Sequence, residues 1–237
     1  MKEIKALLLD LDGTLLDIEV SFFLGTMVDS MIDHFQDLIP PDLFRDGLVG
    51  GIDEIMADPR SDGETNEEGF YRAFQRITGL KTGVARGVFS SYYEQIFPGF
   101  ERFGSRIAGA HELIDMASRK GYRLALATNP IFPRVSVIER MRWGNLSPEQ
   151  FEVVTDMETT RSCKPQKEYF EDLSSALGVP PERCLMVGND VEQDLAAAHV
   201  GMKTYLVEGR VIQRGTGQVL SDWKGDLEQL GRLLELW

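Results

Sequence analysis

Two carboxylates near the start of the chain, Asp10 and Asp12, are separated by one residue and follow an apolar run over residues 4–9. The run is typical of a short strand buried on both faces, and Gly13 with Thr14 predicts the turn that ends it. Residues two apart along a strand lie on the same side, so the two negative charges would lie close together. Such a pair is costly beside apolar residues unless a cation lies near it, and a hard divalent cation with oxygen ligands is the simplest candidate.

A second apolar run, residues 124–127, ends in Thr128, Asn129 and Pro130. The hydroxyl of Thr128 and the carboxamide of Asn129 can both donate hydrogen bonds to phosphate oxygens. A hydroxyl at the end of a strand is also common as a helix cap or a turn residue. This segment alone therefore leaves both interpretations open.

One lysine, Lys164, stands immediately before Pro165 and a helical pattern over residues 167–177. A lysine in this place can present a point positive charge to a phosphate group and to a neighbouring carboxylate. Pro165 is predicted in the first turn of the helix. The alternative is an exposed lysine on a loop, and Lys167 is the nearby competitor, whose place within the helical pattern predicts a solvated side chain.

A further apolar strand is predicted over residues 184–187, and Gly188 and two carboxylates, Asp190 and Asp194, follow it. In the first turn of a helix, a spacing of four residues puts both carboxylates on one side. That arrangement suits one metal ligand and one group that orients the ligands, with Glu192 as a less favoured alternative. Helix capping by Asp190 is the other interpretation.

The five residues from Asp10 to Thr14, with the sequence DLDGT, resemble motif I of the haloacid dehalogenase superfamily. The resemblance implies that Asp10 is the nucleophile that attacks phosphorus and forms an aspartyl-phosphate intermediate. It also implies that Asp12 is the general acid and base, which protonates the leaving oxygen and then activates water. The dehalogenases of this superfamily lack the second aspartate, so Asp12 favours phosphate chemistry over carbon–halogen chemistry.

The three later segments resemble the other motifs of the same superfamily, and they occur in the same order along the chain. Thr128 matches motif II, Lys164 matches motif III, and Asp190 and Asp194 match motif IV, where Asn189 is an additional residue. The residues that the resemblance implies in phosphate binding are Thr128, Asn129 and Lys164. Those that it implies around Mg²⁺ are Asp10, Asp12 through its main-chain carbonyl, Asp190, and Asp194 behind these ligands or through a water.

The resemblance implies a Mg²⁺-dependent phosphatase that hydrolyses a small phosphomonoester. A phosphomutase of the same superfamily is an alternative, because it would share the core residues and differ in how its cap excludes water. A non-enzymatic binding protein on the same fold is the alternative from another functional class. That protein would be expected to have lost Asp10, Asp12 or Lys164, and all three are present.

Strand patterns recur at residues 4–9, 123–127, 153–155, 184–187 and 204–207, with helical patterns between them at residues 110–119, 167–177 and 194–198. This alternation predicts an α/β fold with a doubly wound parallel sheet, and the resemblance implies a Rossmann-like core. Residues 17–102 break the rhythm with amphipathic helical stretches, at 22–35 and 66–77 among others. We therefore expect a core of residues 1–16 and 103–237 and an inserted, mostly helical domain at 17–102, which resembles a C1-type cap. Its aromatic and methionine side chains are expected in the core of the cap.

The composition narrows the functional class. The 237 residues carry a formal net charge of −13, which argues against a nucleic-acid surface. The N-terminal segment is too short and too acidic for a signal peptide or a membrane span, and the only two cysteines imply no disulfide framework. These features predict a cytoplasmic protein with no nucleic-acid or membrane partner and a monomer as the default state. The resemblance implies that its partner is a small phosphorylated metabolite. The acidic segment 58–68 is interpreted as a solvated loop, and the three histidines as ordinary helix residues.

Overall fold

The computed structural model describes residues 3–57, 63–217 and 219–237. The strands in these residues are β1 (Ala6–Leu9), β2 (Leu16–Ile18), β3 (Gly104–Arg106), β4 (Arg123–Leu126), β5 (Val153–Val154), β6 (Cys184–Gly188), β7 (Lys203–Val207) and β8 (Trp223–Gly225). All of them except β2 and β3 form one parallel sheet in the order β5-β4-β1-β6-β7-β8. The predicted parallel sheet is confirmed.

Helices cover both faces of the sheet. The α-helices are α1 (Val20–Phe35), α2 (Pro41–Ala57), α3 (Asn66–Thr78), α4 (Thr82–Gln95), α5 (Ala110–Arg119), α6 (Arg134–Trp143), α7 (Lys167–Ala176) and α8 (Leu227–Glu235). Short 3₁₀ helices span Phe97–Phe103, Pro148–Gln150, Pro181–Arg183 and Leu195–Val200. None of the helices in the described residues is long and apolar enough to cross a membrane.

The alternation of side chains along β1 explains why this strand is apolar throughout. Leu7 and Leu9 belong to the larger hydrophobic cluster, which includes residues of α5, α6 and α8. Ala6 and Leu8 belong to a second cluster, which includes residues of α7 and of the last 3₁₀ helix. All four side chains are fully buried. The strand therefore lies at the centre of the sheet with a hydrophobic core on each side, as its sequence predicts.

Helices α1–α4 form an insertion between β2 and β3. The two strands pair antiparallel, with Leu16 opposite Arg106 and Ile18 opposite Gly104, so the two chain segments that lead into and out of the insertion run side by side. The interior of the insertion is a cluster of phenylalanine rings with centroids 4.7–6.3 Å apart, namely Phe35, Phe44, Phe70, Phe74 and Phe89. The interpretation of most of these aromatic residues as core is confirmed.

Several elements differ from the sequence prediction. The predicted helix at residues 194–198 is a 3₁₀ helix that begins at Leu195, and Pro165 lies before the cap of α7 rather than in its first turn. The short strands β2, β3 and β8, and the helices α2, α6 and α8, were not predicted. The acidic segment 58–68 was predicted to be a loop. Its residues 66–68 instead begin α3, and its residues 58–62 lie outside the described residues.

The topology places three strand ends together. Strand β1 lies between β4 and β6, so the chain crosses from one side of β1 to the other between these two neighbours. In open α/β sheets such a reversal opens a crevice outside the carboxyl ends of the strands, and ligands bind there. Asp10, Thr128 and Asn189 follow closely after the ends of β1, β4 and β6, respectively.

Candidate active site

A cavity of about 160 Å³ lies at the carboxyl ends of these strands, beneath the helical insertion. All of the predicted site residues line it, and they are Asp10, Asp12, Thr128, Asn129, Lys164, Asp190 and Asp194. Two arginines that were not predicted, Arg140 and Arg214, line it as well. The structure therefore brings together side chains that lie as far apart in sequence as residues 10 and 214.

Asp10 is held at the end of β1 with 7% of its surface exposed. One carboxylate oxygen, Oδ1, accepts a hydrogen bond from Nζ of Lys164 at 2.8 Å, and the other accepts one from the hydroxyl of Thr14 at 3.3 Å. Its main-chain N–H donates to the carbonyl of Val187 in the neighbouring strand β6. The sheet and these two donors fix the carboxylate at the cavity wall.

Lys164 is 2% exposed, and its ammonium group bridges two carboxylates, at 2.8 Å from Asp10 and 2.6 Å from Asp194. Burial alone would lower the pKa of Lys164, but the two carboxylates outweigh it and raise the pKa above its ordinary value. The lysine is therefore charged at neutral pH. Lys167, the competing candidate, has an exposed side chain at the start of α7, as predicted.

Asp194 is fully buried, and it connects Lys164 to the chain after β6. Its Oδ1 accepts from Lys164, and its Oδ2 accepts from the main-chain N–H of Asp190 at 2.9 Å. Burial raises the pKa of Asp194, and the ammonium group of Lys164 opposes that shift. The side chain therefore holds both the lysine and the turn that carries Asp190.

Gly188 provides the room that Asp194 needs. A Cβ atom at this glycine would lie 2.1 Å from Oδ2 and 2.2 Å from Cγ of Asp194. We expect Gly188→Ala to lower the free energy of unfolding by about 1–3 kcal/mol, because the buried carboxylate must move. Urea unfolding would measure the loss. Gly25→Ala in α1 is the matched control, since a Cβ there meets no atom within 4 Å and should not destabilise the protein; equal losses in both variants would contradict this account of Gly188.

Asp190 is 7% exposed and makes two kinds of contact. Its carboxylate forms a two-point ion pair with Arg214, with both N–O distances at 2.9 Å. Its Oδ1 also accepts hydrogen bonds from the main-chain N–H groups of Glu192 and Gln193. The segment from Asp190 to Asp194 forms a single hydrogen-bonded turn, in which the main-chain N–H of Asp194 donates to the carbonyl of Asp190 at 2.8 Å, and the 3₁₀ helix begins only after Asp194. It is therefore not the first turn of a helix, but both carboxylates line the cavity, as their spacing predicts.

The additional residue Asn189 links β6 to the first motif. Its Oδ1 accepts from the hydroxyl of Thr14 at 3.0 Å, and its Nδ2 donates to the carbonyl of Arg210 at 2.6 Å. With Asn189 held in this way, the next residue, Asp190, lines the cavity. Glu192, the alternative ligand, instead accepts hydrogen bonds from two main-chain N–H groups, that of Arg214 at 2.9 Å and that of Gly215 at 2.8 Å.

Thr128 and Asn129 follow the end of β4 and line the cavity. The Thr128 carbonyl accepts hydrogen bonds from the hydroxyls of Thr155, at 2.7 Å, and Tyr169, at 2.9 Å, which fixes the end of the strand. Asn129 accepts from the main-chain N–H of Lys164 at 3.1 Å through its Oδ1. The carboxamide thereby positions the lysine segment, a role that sequence reasoning did not predict.

Asp12 is partly buried and forms an ion pair with the fully buried Arg140. Burial raises the pKa of Asp12, the charge of Arg140 opposes the shift, and the nearby carboxylate of Asp10 adds to it. Sequence reasoning missed Arg140, because a long cationic side chain in a helix is usually solvated. The sequence offers only the position of Arg140 shortly after the strand that precedes Thr128, and many residues without a role in a site have such a position.

The helical insertion closes the cavity and is fastened to the core by hydrogen bonds. The carboxamide of Asn66, at the start of α3, is buried and donates to the carbonyls of Pro130 and Ser162, each at 3.3 Å. The carboxamide of Gln166 donates to the carbonyl of Met56, at the end of α2, at 2.9 Å. The part of the wall that the insertion contributes is apolar and includes Phe23, Leu24 and Met56.

Comparison with known proteins agrees with the architecture and the motifs. The sheet order and the acidic cavity define an α/β protein with a candidate site at the carboxyl ends of the strands. The family profile described as haloacid dehalogenase-like hydrolase matches residues 4–201. The chain belongs to this family, as its motifs predict, and it is an enzyme of the hydrolase class.

Three relatives show the range of the similarity. The pyrophosphatase PpaX of Halalkalibacterium halodurans is 24% identical over 205 residues, which cover 86% of this chain and 84% of that protein. A predicted phosphoglycolate phosphatase from Haemophilus somnus has the same fold, with a TM-score of 0.62, 18% identity and 99% of each chain covered. CbbY from Rhodobacter sphaeroides, solved with xylulose-(1,5)bisphosphate, gives a TM-score of 0.59 at 21% identity, with 93% of each chain covered.

Proposed function

We propose that the protein is a Mg²⁺-dependent phosphatase that hydrolyses a small phosphomonoester through a phosphoryl group carried on Asp10. The observation that carries this proposal is the buried carboxylate of Asp10, which Lys164 holds at 2.8 Å in a cavity that also contains Asp12. A fixed carboxylate beside a fixed positive charge suits attack on phosphorus, because the cation stabilises the charge that develops on the transferring group.

The proposed roles divide the reaction between the residues of the cavity. Asp10 attacks phosphorus while Asp12 donates a proton to the leaving oxygen, and Asp12 then takes a proton from the water that releases phosphate. The bond from phosphorus to the leaving oxygen breaks as the bond to Asp10 forms, and the second step returns Asp10 to its carboxylate. Thr128, Asn129 and Lys164 are proposed to bind the phosphoryl oxygens. Splitting one displacement into two steps makes each of them easier.

The donor set suits Mg²⁺. Among the described residues, no group of three or more His, Cys, Asp or Glu side chains is arranged to hold a metal ion. Mg²⁺ does not require such a group, because it is usually bound by one or two carboxylates together with waters and substrate phosphate. The buried carboxylates of Asp10 and Asp190 and the main-chain carbonyl of Asp12 are proposed to hold it, with Asp194 behind them. Asp190 would then exchange at least one of its two contacts with Arg214 for the metal ion. When bound, the ion would neutralise charge on the phosphate and on the nucleophile.

The metal assignment predicts how Asp190→Asn will behave. We expect the variant to need at least about tenfold more Mg²⁺ for half-maximal activity, because a neutral amide is a weaker ligand than a carboxylate. Activity over a series of free Mg²⁺ concentrations and calorimetric titration of the metal would both measure the change. Glu192→Gln is the control and should leave both titrations unchanged. An unaltered titration of Asp190→Asn would assign the metal to another acid.

The cavity and the relatives support a small metabolite as substrate. A volume of about 160 Å³ suits a phosphoryl group with a small leaving group, and the part of the wall that the insertion contributes is apolar. PpaX is named a pyrophosphatase, and CbbY was solved with a sugar bisphosphate. We propose a phosphorylated metabolite of this size, such as a sugar phosphate, and a helical cap that selects it.

A substrate screen tests the proposal. Purified protein with Mg²⁺ would be assayed for phosphate release from sugar phosphates, nucleotides, phosphoglycolate, pyrophosphate and p-nitrophenyl phosphate. We expect release from at least one small ester and loss of that activity on chelation with EDTA. Metal-independent release, or none from any compound, would contradict the proposal. Transfer of the phosphoryl group within a sugar, without release, would identify a phosphomutase instead.

A further inference from the structure

Arg140 is the largest fully buried side chain among the described residues, and the proposed roles above do not use it. It lies near the end of α6, and its side chain reaches the cavity wall beside Asp12. Burying a guanidinium group is costly, and its pairing with a carboxylate offsets the cost only in good geometry. The position of this side chain in the active-site wall therefore indicates a role there.

Three contacts fix the plane of the guanidinium group. Its Cζ lies 4.3 Å from the ring centroid of Phe132, and its Nε donates to the carbonyl of Ser136 at 3.4 Å. Its Nη1 donates to Oδ2 of Asp12. Apart from its bond to Asp12, the guanidinium group is held on its face by Phe132 and at one edge by Ser136, while its Nη2 is buried with no hydrogen-bond partner among the described residues. A planar donor held in this way orients the carboxylate that it binds.

The ion pair makes the two oxygens of Asp12 different. Arg140 occupies Oδ2, whereas Oδ1 is buried and has no hydrogen-bond partner among the residues that the structure describes. An acceptor without a partner in a buried site is costly, so Oδ1 is the oxygen that gains most from a proton or from a ligand. Asp12 lines the cavity and its side chain is 20% exposed, so a substrate in the cavity would meet this residue there.

We propose that Arg140 is a positioning residue for Asp12, which fixes the orientation of the carboxylate that transfers the proton to the leaving oxygen. The inference rests on the proposed role of Asp12 as general acid. Arg140 then acts through Asp12 and does not touch the transferring phosphoryl group. The loss of activity on removing Arg140 should therefore be larger for esters whose leaving group must be protonated.

The leaving group provides a direct test. Phenyl phosphate has a leaving group that needs protonation, whereas 2,4-dinitrophenyl phosphate releases an anion that is stable without it. For Arg140→Met we expect kcat/KM on phenyl phosphate to fall by about 10²-fold, within the usual effect of general acid catalysis, and kcat/KM on the dinitrophenyl ester to fall by less than about threefold. The ratio kcat/KM is the quantity to compare, because it reports only the steps up to departure of the leaving group, whereas kcat also includes the later attack of water, which is the same for both esters.

Two variants control the measurement. Asp12→Asn should show the same selective loss on phenyl phosphate, because it removes the acid itself. Arg134→Met removes another ion pair of α6, that of Arg134 with the buried Asp156, and should affect both esters equally and weakly. If Arg140→Met does not fold, Arg140→Lys serves in its place; it keeps the charge but loses the planar donor and should show a smaller loss with the same selectivity.

The outcomes separate the inference from the function on which it rests. If Asp12→Asn loses no more activity on phenyl phosphate than on the dinitrophenyl ester, the proposed role of Asp12 fails. If Asp12→Asn is selective but Arg140→Met loses activity equally on both esters, Arg140 is only structural and the inference is wrong. A rise in KM with unchanged kcat for both esters would show that Arg140 binds the substrate, and would also overturn it. Partial recovery of phenyl phosphate turnover in Arg140→Ala on addition of methylguanidinium would support it.

Discussion

Asp10→Asn is expected to lower kcat for an aryl phosphate by at least about 10⁴-fold, because an amide cannot serve as the nucleophile in this site. The fold should survive, since the amide matches the carboxylate in shape and its oxygen can still accept a hydrogen bond from Lys164. Steady-state turnover together with far-ultraviolet circular dichroism would measure both parts of the prediction.

The matched control for this substitution is Asp17→Asn. Asp17 is a half-exposed residue of β2, and its carboxylate pairs with Arg210. The same chemical change there should leave turnover within about twofold, since surface substitutions have small effects. If Asp10→Asn retained turnover comparable to this control, the nucleophile assignment would be wrong.

Lys164→Ala is expected to impair both activity and stability, far more than Lys167→Ala. Removing the ammonium group takes a donor from the phosphoryl site, which should lower kcat by about 10²–10³-fold. It also leaves the buried carboxylates of Asp10 and Asp194 without their cation, and breaking such a buried pair costs about 3–5 kcal/mol. Lys167→Ala, at an exposed site, should change stability by no more than about 0.5 kcal/mol.

Turnover assays and urea unfolding of the two variants would measure this difference. If Lys164→Ala is too unstable to assay, the double variant Lys164→Ala/Asp194→Asn removes one of the two charges left without a partner. The double variant should recover part of the stability but little of the activity. Equal effects of the two lysine substitutions would show that Lys164 has no special role.

The core of the fold could be predicted because its central strands are buried on both faces and are therefore apolar along their length. In β1 every residue from Ala6 to Leu9 is fully buried, so the sequence shows a continuous apolar run that ends in polar residues. The strands β4 and β6 carry the same signal, and Thr128 and Asp190 follow them. Because the carboxyl ends of adjacent parallel strands meet at one edge, residues that end separate strands could be placed in one site.

Other elements carried no such signal. Strand β8 has only three residues and ends in Gly225, and β2 and β3 are equally short. The acids Asp190 and Asp194 were placed on a helix from their spacing, but spacing cannot distinguish the first turn of a helix from a single hydrogen-bonded turn. The buried position of Asp194 follows from the absence of a side chain at Gly188, which only the packing reveals.

The two arginines of the site show what sequence patterns leave out. Arg140 lies in a helix among other charged residues, and Arg214 lies in an irregular segment. Neither has a spacing that relates it to its partner, because the ion pairs with Asp12 and Asp190 join segments 128 and 24 residues apart. Only the packing of α6 and of the chain after β7 brings these cations to the carboxylates.

The central claim is that a phosphoryl group is carried on Asp10, and chemical trapping tests it most directly. Protein turning over p-nitrophenyl phosphate would be quenched in acid and reduced with borohydride, which converts an aspartyl phosphate to homoserine. Peptide mass spectrometry would then locate the modified residue. We predict homoserine at Asp10 in substrate-treated protein and none in protein without substrate. Homoserine at Asp12, or none at either position while turnover proceeds, would contradict the proposed mechanism.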